Sequence, residues 1–310
     1  MHKNMAQRPK RRMKISLRLS AKQKRWLRAA VAAGLMLAVG TLGWLRITEF
    51  LKSKHPAPEP PGIQTQRPAP VPLPPPQPLP PAPRRRSIGP GPLITFVIDD
   101  IGHTFKNRAA LERLAGDVTF AILPYVAHSE YFSELGRQKN TEVILHLPLE
   151  SAMGTIPGPG LITTRMDPDY IREQLDLDLR SVPYHVGVNN HMGSYGTAQA
   201  DFMRIILQEL KNRGLFFLDS QTTAQSEGPR IGKELGLPVL KRDVFLDNVN
   251  QPESIREELN RVRLIAREQG YAIAIGHDRE NTLRILEEEI PKLKDEGFQI
   301  VSLSDLISRR

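Results

Sequence analysis

The sequence predicts an α/β domain built on a parallel sheet, and three observations lead there. Over residues 93–310, runs of β-branched and aromatic residues alternate with amphipathic segments of helical period, the pattern of strands joined by covering helices. The runs end in polar residues, most sharply at LITFVIDDIGH (93–103), where an apolar stretch stops at two adjacent carboxylates and a glycine. The carboxyl ends of parallel strands are where such domains place their chemistry. Only DIGH follows that first run. With no glycine-rich phosphate loop there, a nucleotide-binding doubly wound sheet is disfavoured, leaving a barrel or a doubly wound layer of another kind.

Ahead of this domain the chain divides into three stretches. Residues 1–28 hold eleven Lys/Arg and no Asp/Glu, and read as a basic cytoplasmic tail. Residues 29–45, AAVAAGLMLAVGTLGWL, carry no charge, with Trp26 just before them and Trp44 at their far end. That length is near the lower limit for spanning a bilayer, and the tryptophans suit its interfaces, so a single transmembrane anchor is expected. No clean small-residue cleavage site precedes RITEFLKSK, which favours an uncleaved anchor over a removed signal peptide. By the positive-inside rule the N-terminus is cytoplasmic, the anchor sits in the inner membrane, and the C-terminal domain is exported to the periplasm or cell surface.

Residues 46–92 form a linker. Sixteen of the thirty-seven residues 56–92 are proline, and such a segment extends at roughly 3.1 Å per residue as a semi-rigid spacer. The absence of cysteine is compatible with an exported domain that folds without disulfides. Charge is divided in the same way. Residues 94–310 carry 25 basic and 32 acidic side chains, so the pI near 9.8 belongs to the N-terminal stretch. A mildly acidic domain repels a phosphate backbone, and no nucleic-acid partner is expected.

Within 93–310 the expected strands are 94–98, 118–123, 142–147, 185–189, 215–218, 239–242, 272–275 and 299–302. Helical patterns fall between them in FKNRAALERLA, HSEYFSELGRQK, DPDYIREQLDLDLRSV, ADFMRIILQELKNRG and PESIREELNRVRLIAREQG. Apolar residues recur in these at three and four, as in Ile171, Leu175 and Leu179.

The strand ends collect the chemistry. The first supplies Asp99 and Asp100; the third, EVILHLPLE, supplies His146 and Glu150; the fourth, VGVNNHMGS, supplies Asn189, Asn190, His191 and Ser194. The later ones add Asp219 and Ser220, then Arg242, Asp243 and Asp247, then His277 and Asp278. One carboxylate with two imidazoles is a hydrolytic metal triad that leaves positions open for water and substrate. Asp100, His146 and His191 are expected to supply it. Asp99 is then free to serve as general base and His277 as general acid, with Glu150, Asn190, Asp219, Arg242 and Asp247 lining the site or binding substrate. His103, His128 and His185 begin helices or a strand and are set aside.

VIDDIG, HLPLE, NNHMGS, FLDS and IGH, in this order and spacing, resemble the divergent polysaccharide deacetylase family, a distant branch of the metal-dependent carbohydrate N-deacetylases. The resemblance spans about residues 93–308. It implies a distorted (β/α)7-type barrel of the glycoside hydrolase/deacetylase kind, a divalent metal such as zinc, and removal of acetyl groups from an acetylated polysaccharide or peptidoglycan-like glycan. Carried over by motif, Asp99 is the base, Asp100 and His146 are ligands and His277 is the acid. Typical deacetylases carry a second histidine four residues after the first, and here that place is Glu150. Either Glu150 completes the triad or His191 does. Two other functions stay open: a catalytically inactive anchored barrel that binds glycan or an envelope partner, and a metal-dependent amide or ester hydrolase with another substrate.

Overall fold

In a computed structural model of the chain, residues 90–309 are described; the tail, anchor and most of the linker expected from the sequence lie outside them. Among the described residues no helix is long and apolar enough to cross a membrane.

The apolar runs become strands β1 (Leu93–Ile101), β2 (Thr119–Ile122), β3 (Val143–Leu149), β4 (His185–Met192), β5 (Phe216–Asp219), β6 (Val239–Lys241), β7 (Val244–Phe245), β8 (Tyr271–His277) and β9 (Gln299–Ile300). The helices are α1 (Arg108–Leu114), α2 (Ser129–Gln138), α3 (Pro168–Ser181), α4 (Ala200–Asn212), α5 (Gly228–Leu235), α6 (Pro252–Gln269), α7 (Glu280–Asp295) and α8 (Leu303–Ile307); α1 to α4 and α6 fall on the five amphipathic stretches named from the sequence, and α5, α7 and α8 are further helices. Local chemistry sets several of these boundaries. Asp167 caps α3 by accepting from the backbone N–H groups of Asp169 and Tyr170, with Pro168 opening the first turn, the arrangement expected where a proline's missing donor costs nothing.

All pairings are parallel, in the order β6-β5-β4-β3-β2-β1-β8-β7, with β9 added beside the start of β1. The two outermost strands, β6 and β7, are separated in the chain only by Arg242 and Asp243. Three Cα steps of 3.8 Å reach about 11 Å at most, so the sheet must curl until its edges meet. The junction is hydrogen-bonded to both sides: Arg242 N–H donates to the Asp219 carbonyl and Asp243 N–H to the Ile273 carbonyl. The result is a parallel sheet curled into a half-barrel with helical cover. The strand expected at 239–242 forms as β6, and β7 is a short further strand not expected from the sequence. β7 pairs with β8, and the junction is held there also by Asp243 Oδ2 accepting from Ile273 N–H at 2.8 Å.

Strand alternation sorts the side chains into two apolar groups. One lies inside the barrel, with Val97, Ala121, Ile144, Leu218, Leu240, Ile273 and Ile275, and the other packs the outer face against the helices. Leu303 and Leu306 of α8 belong to the inner group and close the floor. Buried Glu142, at the start of β3, accepts from Leu303 N–H, Ser304 N–H and the Thr119 hydroxyl at 2.8, 2.9 and 3.0 Å. These bonds satisfy the α8 amides, which have no partner within their own helix. With its floor apolar and plugged, the barrel has its polar interior at the other end, where the strands finish.

Candidate metal centre and acid–base site

The inward-facing alternation of β1 passes through Val97 to Asp99, so Asp100 should point outward. It does not, because Asp100 adopts a left-handed conformation with φ 63° and the β1–β2 register shifts between Ile98 and Ile101. Asp is among the few residue types that tolerate this region. The turn carries Asp100 back to the mouth of the barrel above Asp99.

There Asp100 meets two imidazoles. Its Oδ1 lies 3.3 Å from His146 Nε2 and 3.1 Å from His191 Nδ1, and the two ring nitrogens are 3.0 Å apart. Among the described residues these three side chains form the group with metal-ligand spacing. A tetrahedral site with ligand bonds of about 2.0–2.1 Å has edges of about 3.3–3.4 Å, close to this triangle. Asp100 Oδ1 is buried and receives no hydrogen bond, an orphaned acceptor beside two ring nitrogens. One carboxylate oxygen and two imidazoles are also the donor chemistry of hydrolytic zinc sites, and the residues fit such an ion. Burial works against ionisation of Asp100, but the neighbouring imidazoles overcome it and hold the carboxyl well below its usual range.

His191 enters through the register of β4 on β3, in which His146 faces Asn189 and Pro148 faces His191. Glu150, the other candidate for the third ligand, lies just past the end of β3. Its Oε2 accepts from Thr164 N–H at 2.8 Å and the Thr164 hydroxyl at 2.7 Å, which spends the carboxylate on the following loop.

Asp99 sits beneath the triangle, 3 % exposed, with Oδ2 3.6 Å from His146 Nε2. Burial raises its carboxyl above the ordinary value and the Asp100 charge adds to that, against the pull of His146, His277 and an amide hydrogen bond from Asn189. His277, paired with Asp99 across β1 and β8, places Nε2 3.9 Å from Asp100 Oδ2. Its Nδ1 lies 2.8 Å from Asp247 Oδ1. Fully buried Asp247 also accepts from His277 N–H at 2.9 Å and the Thr282 hydroxyl at 2.7 Å. Burial disfavours the charged His277 ring, but the Asp247 carboxylate outweighs it and holds the imidazole above its ordinary value. Gly276 is required by this arrangement, since a Cβ there would come within 2.7 Å of Thr282 Cγ2.

The remaining lining candidates divide between the site and the outer face. Arg242 donates from Nε to the Ser220 carbonyl at 2.7 Å and from Nη2 to the Gln221 carbonyl at 3.1 Å; burial lowers its pKa, opposed by Asp99, Asp219 and Asp243. Asp219, expected from the sequence to line the site, follows inward-facing Leu218 on β5 and so shares the outer face with Phe217, where it accepts from Gln221 N–H and its side-chain amide, both at 2.8 Å. Asn190, expected from the sequence to line the site, alternates to the other side of β4. There it accepts from Ser220 N–H at 2.9 Å and donates to the Met192 carbonyl at 2.7 Å. The residue that does face the site is Asn189. Its Oδ1 lies 2.8 Å from His146 Nδ1 and its Nδ2 lies 2.8 Å from Asp99 Oδ1. Strand alternation was the signal for it, because a ligand at 191 puts 189 on the same face. Of the histidines set aside, His185 is held by the Val182 carbonyl at the opposite end of β4, and His128 stacks on Phe105 at 3.7 Å between ring centroids.

Comparison with known proteins gives a consistent result. Residues 96–307 match the family described as divergent polysaccharide deacetylase. An uncharacterised protein of Haemophilus influenzae is 30% identical over 213 residues, covering 69% of this chain and 76% of that protein. The uncharacterised protein YibQ of Escherichia coli is 31% identical over 215 residues, covering 69% and 67%. Among solved structures, an uncharacterised protein of Agrobacterium tumefaciens superposes with a TM-score of 0.68 at 25% identity, covering 72% of this chain and 92% of that one.

Proposed function

The chain belongs to the divergent polysaccharide deacetylase family, and from that premise we propose that it is a metal-dependent hydrolase removing N-acetyl groups from an envelope glycan. The observation that carries this reading is the triangle of Asp100 Oδ1, His146 Nε2 and His191 Nδ1, with edges of 3.0–3.3 Å and an orphaned carboxylate oxygen at one corner.

A divalent ion such as zinc, held by Asp100, His146 and His191, would supply Lewis acidity toward the amide carbonyl. The protein's own groups then divide the proton work. Asp99, beside the triangle, takes a proton from the attacking water as its oxygen bonds to the acetyl carbon. His277, on the opposite side and kept charged by Asp247, gives its proton to the sugar nitrogen as the C–N bond breaks. The products are acetate and a free amine. The apolar barrel beneath Asp99 limits water access from below, which strengthens each of these electrostatic contacts.

The test is acetate release from N-acetylated glycan oligomers by zinc-loaded protein, compared with protein stripped by chelator. Release that depends on the metal supports the reading. Zinc binding without release from either chitin-like or peptidoglycan-like oligomers would favour the inactive barrel or a different amide or ester substrate. The pH profile adds a check on the acid. Because Asp247 raises the His277 value, that pair's contribution to stability is complete below the ordinary imidazole value of about 6.5 and fades as pH rises through the folded value. The alkaline limb of kcat/KM should follow the same group. Asp247→Asn removes the charge that holds the proton, so the limb is expected to move to lower pH; an unmoved limb would remove His277 as the acid.

The anchored, exported placement is part of the proposal and rests on residues 1–92 alone. Protease given access to the outer face of the inner membrane is expected to digest the domain, and protection there would reverse the topology.

A further inference from the structure

We propose that Asn189 is a positioning residue whose amide clips Asp99 to His146, fixing the His146 ring hydrogen on Nδ1 so that its Nε2 lone pair faces Asp100 and His191. This assigns a part to a residue that is not itself among the three converging ligands. It deepens the hydrolase reading and rests on it for its catalytic consequence.

Asn189 is completely buried, so its four hydrogen-bonding sites cannot turn to water. Its Nδ2 donates to Asp99 Oδ1 at 2.8 Å and approaches Ser220 Oγ at 3.4 Å, and its Oδ1 lies 2.8 Å from His146 Nδ1. An amide oxygen can only accept and an amide nitrogen can only donate. With the nitrogen turned to a carboxylate, the oxygen is turned to His146, and Nδ1 must then carry the hydrogen. A neutral imidazole has one hydrogen, so Nε2 is left as the bare nitrogen. Flipping the amide reverses every link. Oδ1 would face Asp99 Oδ1, two acceptors at 2.8 Å, and the NH2 group would drive the ring hydrogen onto Nε2, into the middle of the triangle.

The clip therefore couples two functions through one side chain. His146 is held as a ligand, and Asp99 is held by Oδ1 while its Oδ2 stays toward His146 at 3.6 Å. Hydrogen bonds of this sort behind a ligating imidazole set its orientation as well as its tautomer. The partner here is an uncharged amide, where many such rings are backed by a carboxylate. An ionised carboxylate could only accept, whereas the amide offers a donor to Asp99 and an acceptor to His146 at once.

The experiment uses the full chain, with three measurements on wild type, Asn189→Asp and Asn189→Ala. The first is the 15N NMR signature of the His146 ring in chelator-stripped protein, at a pH where the ring is neutral, assigned by its loss in His146→Gln. The hydrogen is expected on Nδ1 in wild type and divided between the Nδ1–H and Nε2–H tautomers in Asn189→Ala. The second is zinc affinity by competition with a chromophoric chelator. Asn189→Asp still accepts from His146 and is expected to stay within a few fold of wild type, whereas Asn189→Ala should bind about 10–100-fold more weakly. The third is turnover on an acetylated glycan oligomer. In Asn189→Asp a carboxylate replaces the donor to Asp99, so kcat is expected to fall by about 10²–10⁴-fold with KM little changed.

A residue that merely filled space would leave the ring hydrogen where it is in all three proteins and make Asn189→Asp and wild type equal in turnover; either result overturns the proposal. A wild-type ring with its hydrogen on Nε2 overturns it as well. Should Asn189→Ala fail to fold, the wild-type ring and the isosteric Asn189→Asp still decide the matter. Should wild type bind no zinc and release no acetate, the hydrolase reading fails, while the ring measurement still judges the clip.

Discussion

Purified protein is expected to carry about one divalent ion per chain, and His146→Ala, His191→Ala and Asp100→Asn are each expected to abolish stoichiometric binding. The physical reason is the small number of donors. Three side-chain atoms lie within 3.0–3.3 Å of one another, and deleting one leaves two, too few to compete with water for a divalent ion. Losses of at least two orders of magnitude in affinity, roughly 3 kcal/mol, are expected for each ligand. Glu150→Gln is the control. Its carboxylate is engaged by Thr164 at 2.7 and 2.8 Å, so binding should survive that change with at most a modest loss. Metal content measured by elemental analysis on the four variants decides the point. If Glu150→Gln empties the protein while His191→Ala does not, the third ligand has been misassigned.

Within the aspartate pair the expected outcomes diverge more sharply than for any other two neighbours in the chain. Asp99→Asn should keep the ion and lose turnover by about 10²–10⁴-fold, the usual worth of a general base, whereas Asp100→Asn should lose both. The two carboxyls have opposite environments. Asp100, beside two imidazoles, is held far below the ordinary carboxylate range despite its burial. Its lone pairs are suited to a cation. Asp99 is raised by burial and by the Asp100 charge, which makes it the better proton acceptor of the two. Single-turnover acetate release, with zinc measured on the same samples, separates the roles. Wild-type rates in Asp99→Asn would remove it as base. The inactive-barrel alternative predicts that none of these substitutions changes glycan binding by more than the loss of one contact, so a binding assay run beside the turnover assay distinguishes the two classes of function.

Much of this was legible before any coordinates. Alternation of β-rich and amphipathic segments specified a parallel sheet with helical cover, because the two periods, 2.0 and 3.6, are read directly from residue spacing. The division of charge between the first 93 residues and the rest assigns the high pI to the N-terminal stretch and leaves residues 94–310 mildly acidic. Polar residues at the ends of successive apolar runs identified which end of the sheet carries the chemistry, and the adjacent aspartates with His146, His191 and His277 were visible as candidates. Alternation along β4 could also have preferred Asn189 to Asn190, since only the former shares a face with His191.

Three things were decided only in the folded chain. Asp100 reaches the site because its backbone turns left-handed at a register shift, and side-chain parity alone would have sent it outward. The choice between Glu150 and His191 depends on how β4 is set against β3, which includes an irregularity between Val143 and Ile144; a one-residue slip would exchange every inward and outward residue of that strand. The short extra strand β7 follows from the curl of the sheet, which brings Arg242 and Asp243 to bond with two different neighbours. Residue order sets the face of each side chain along its own strand. Which atoms then meet depends on register, twist and closure, and those are settled by packing between segments far apart in the chain.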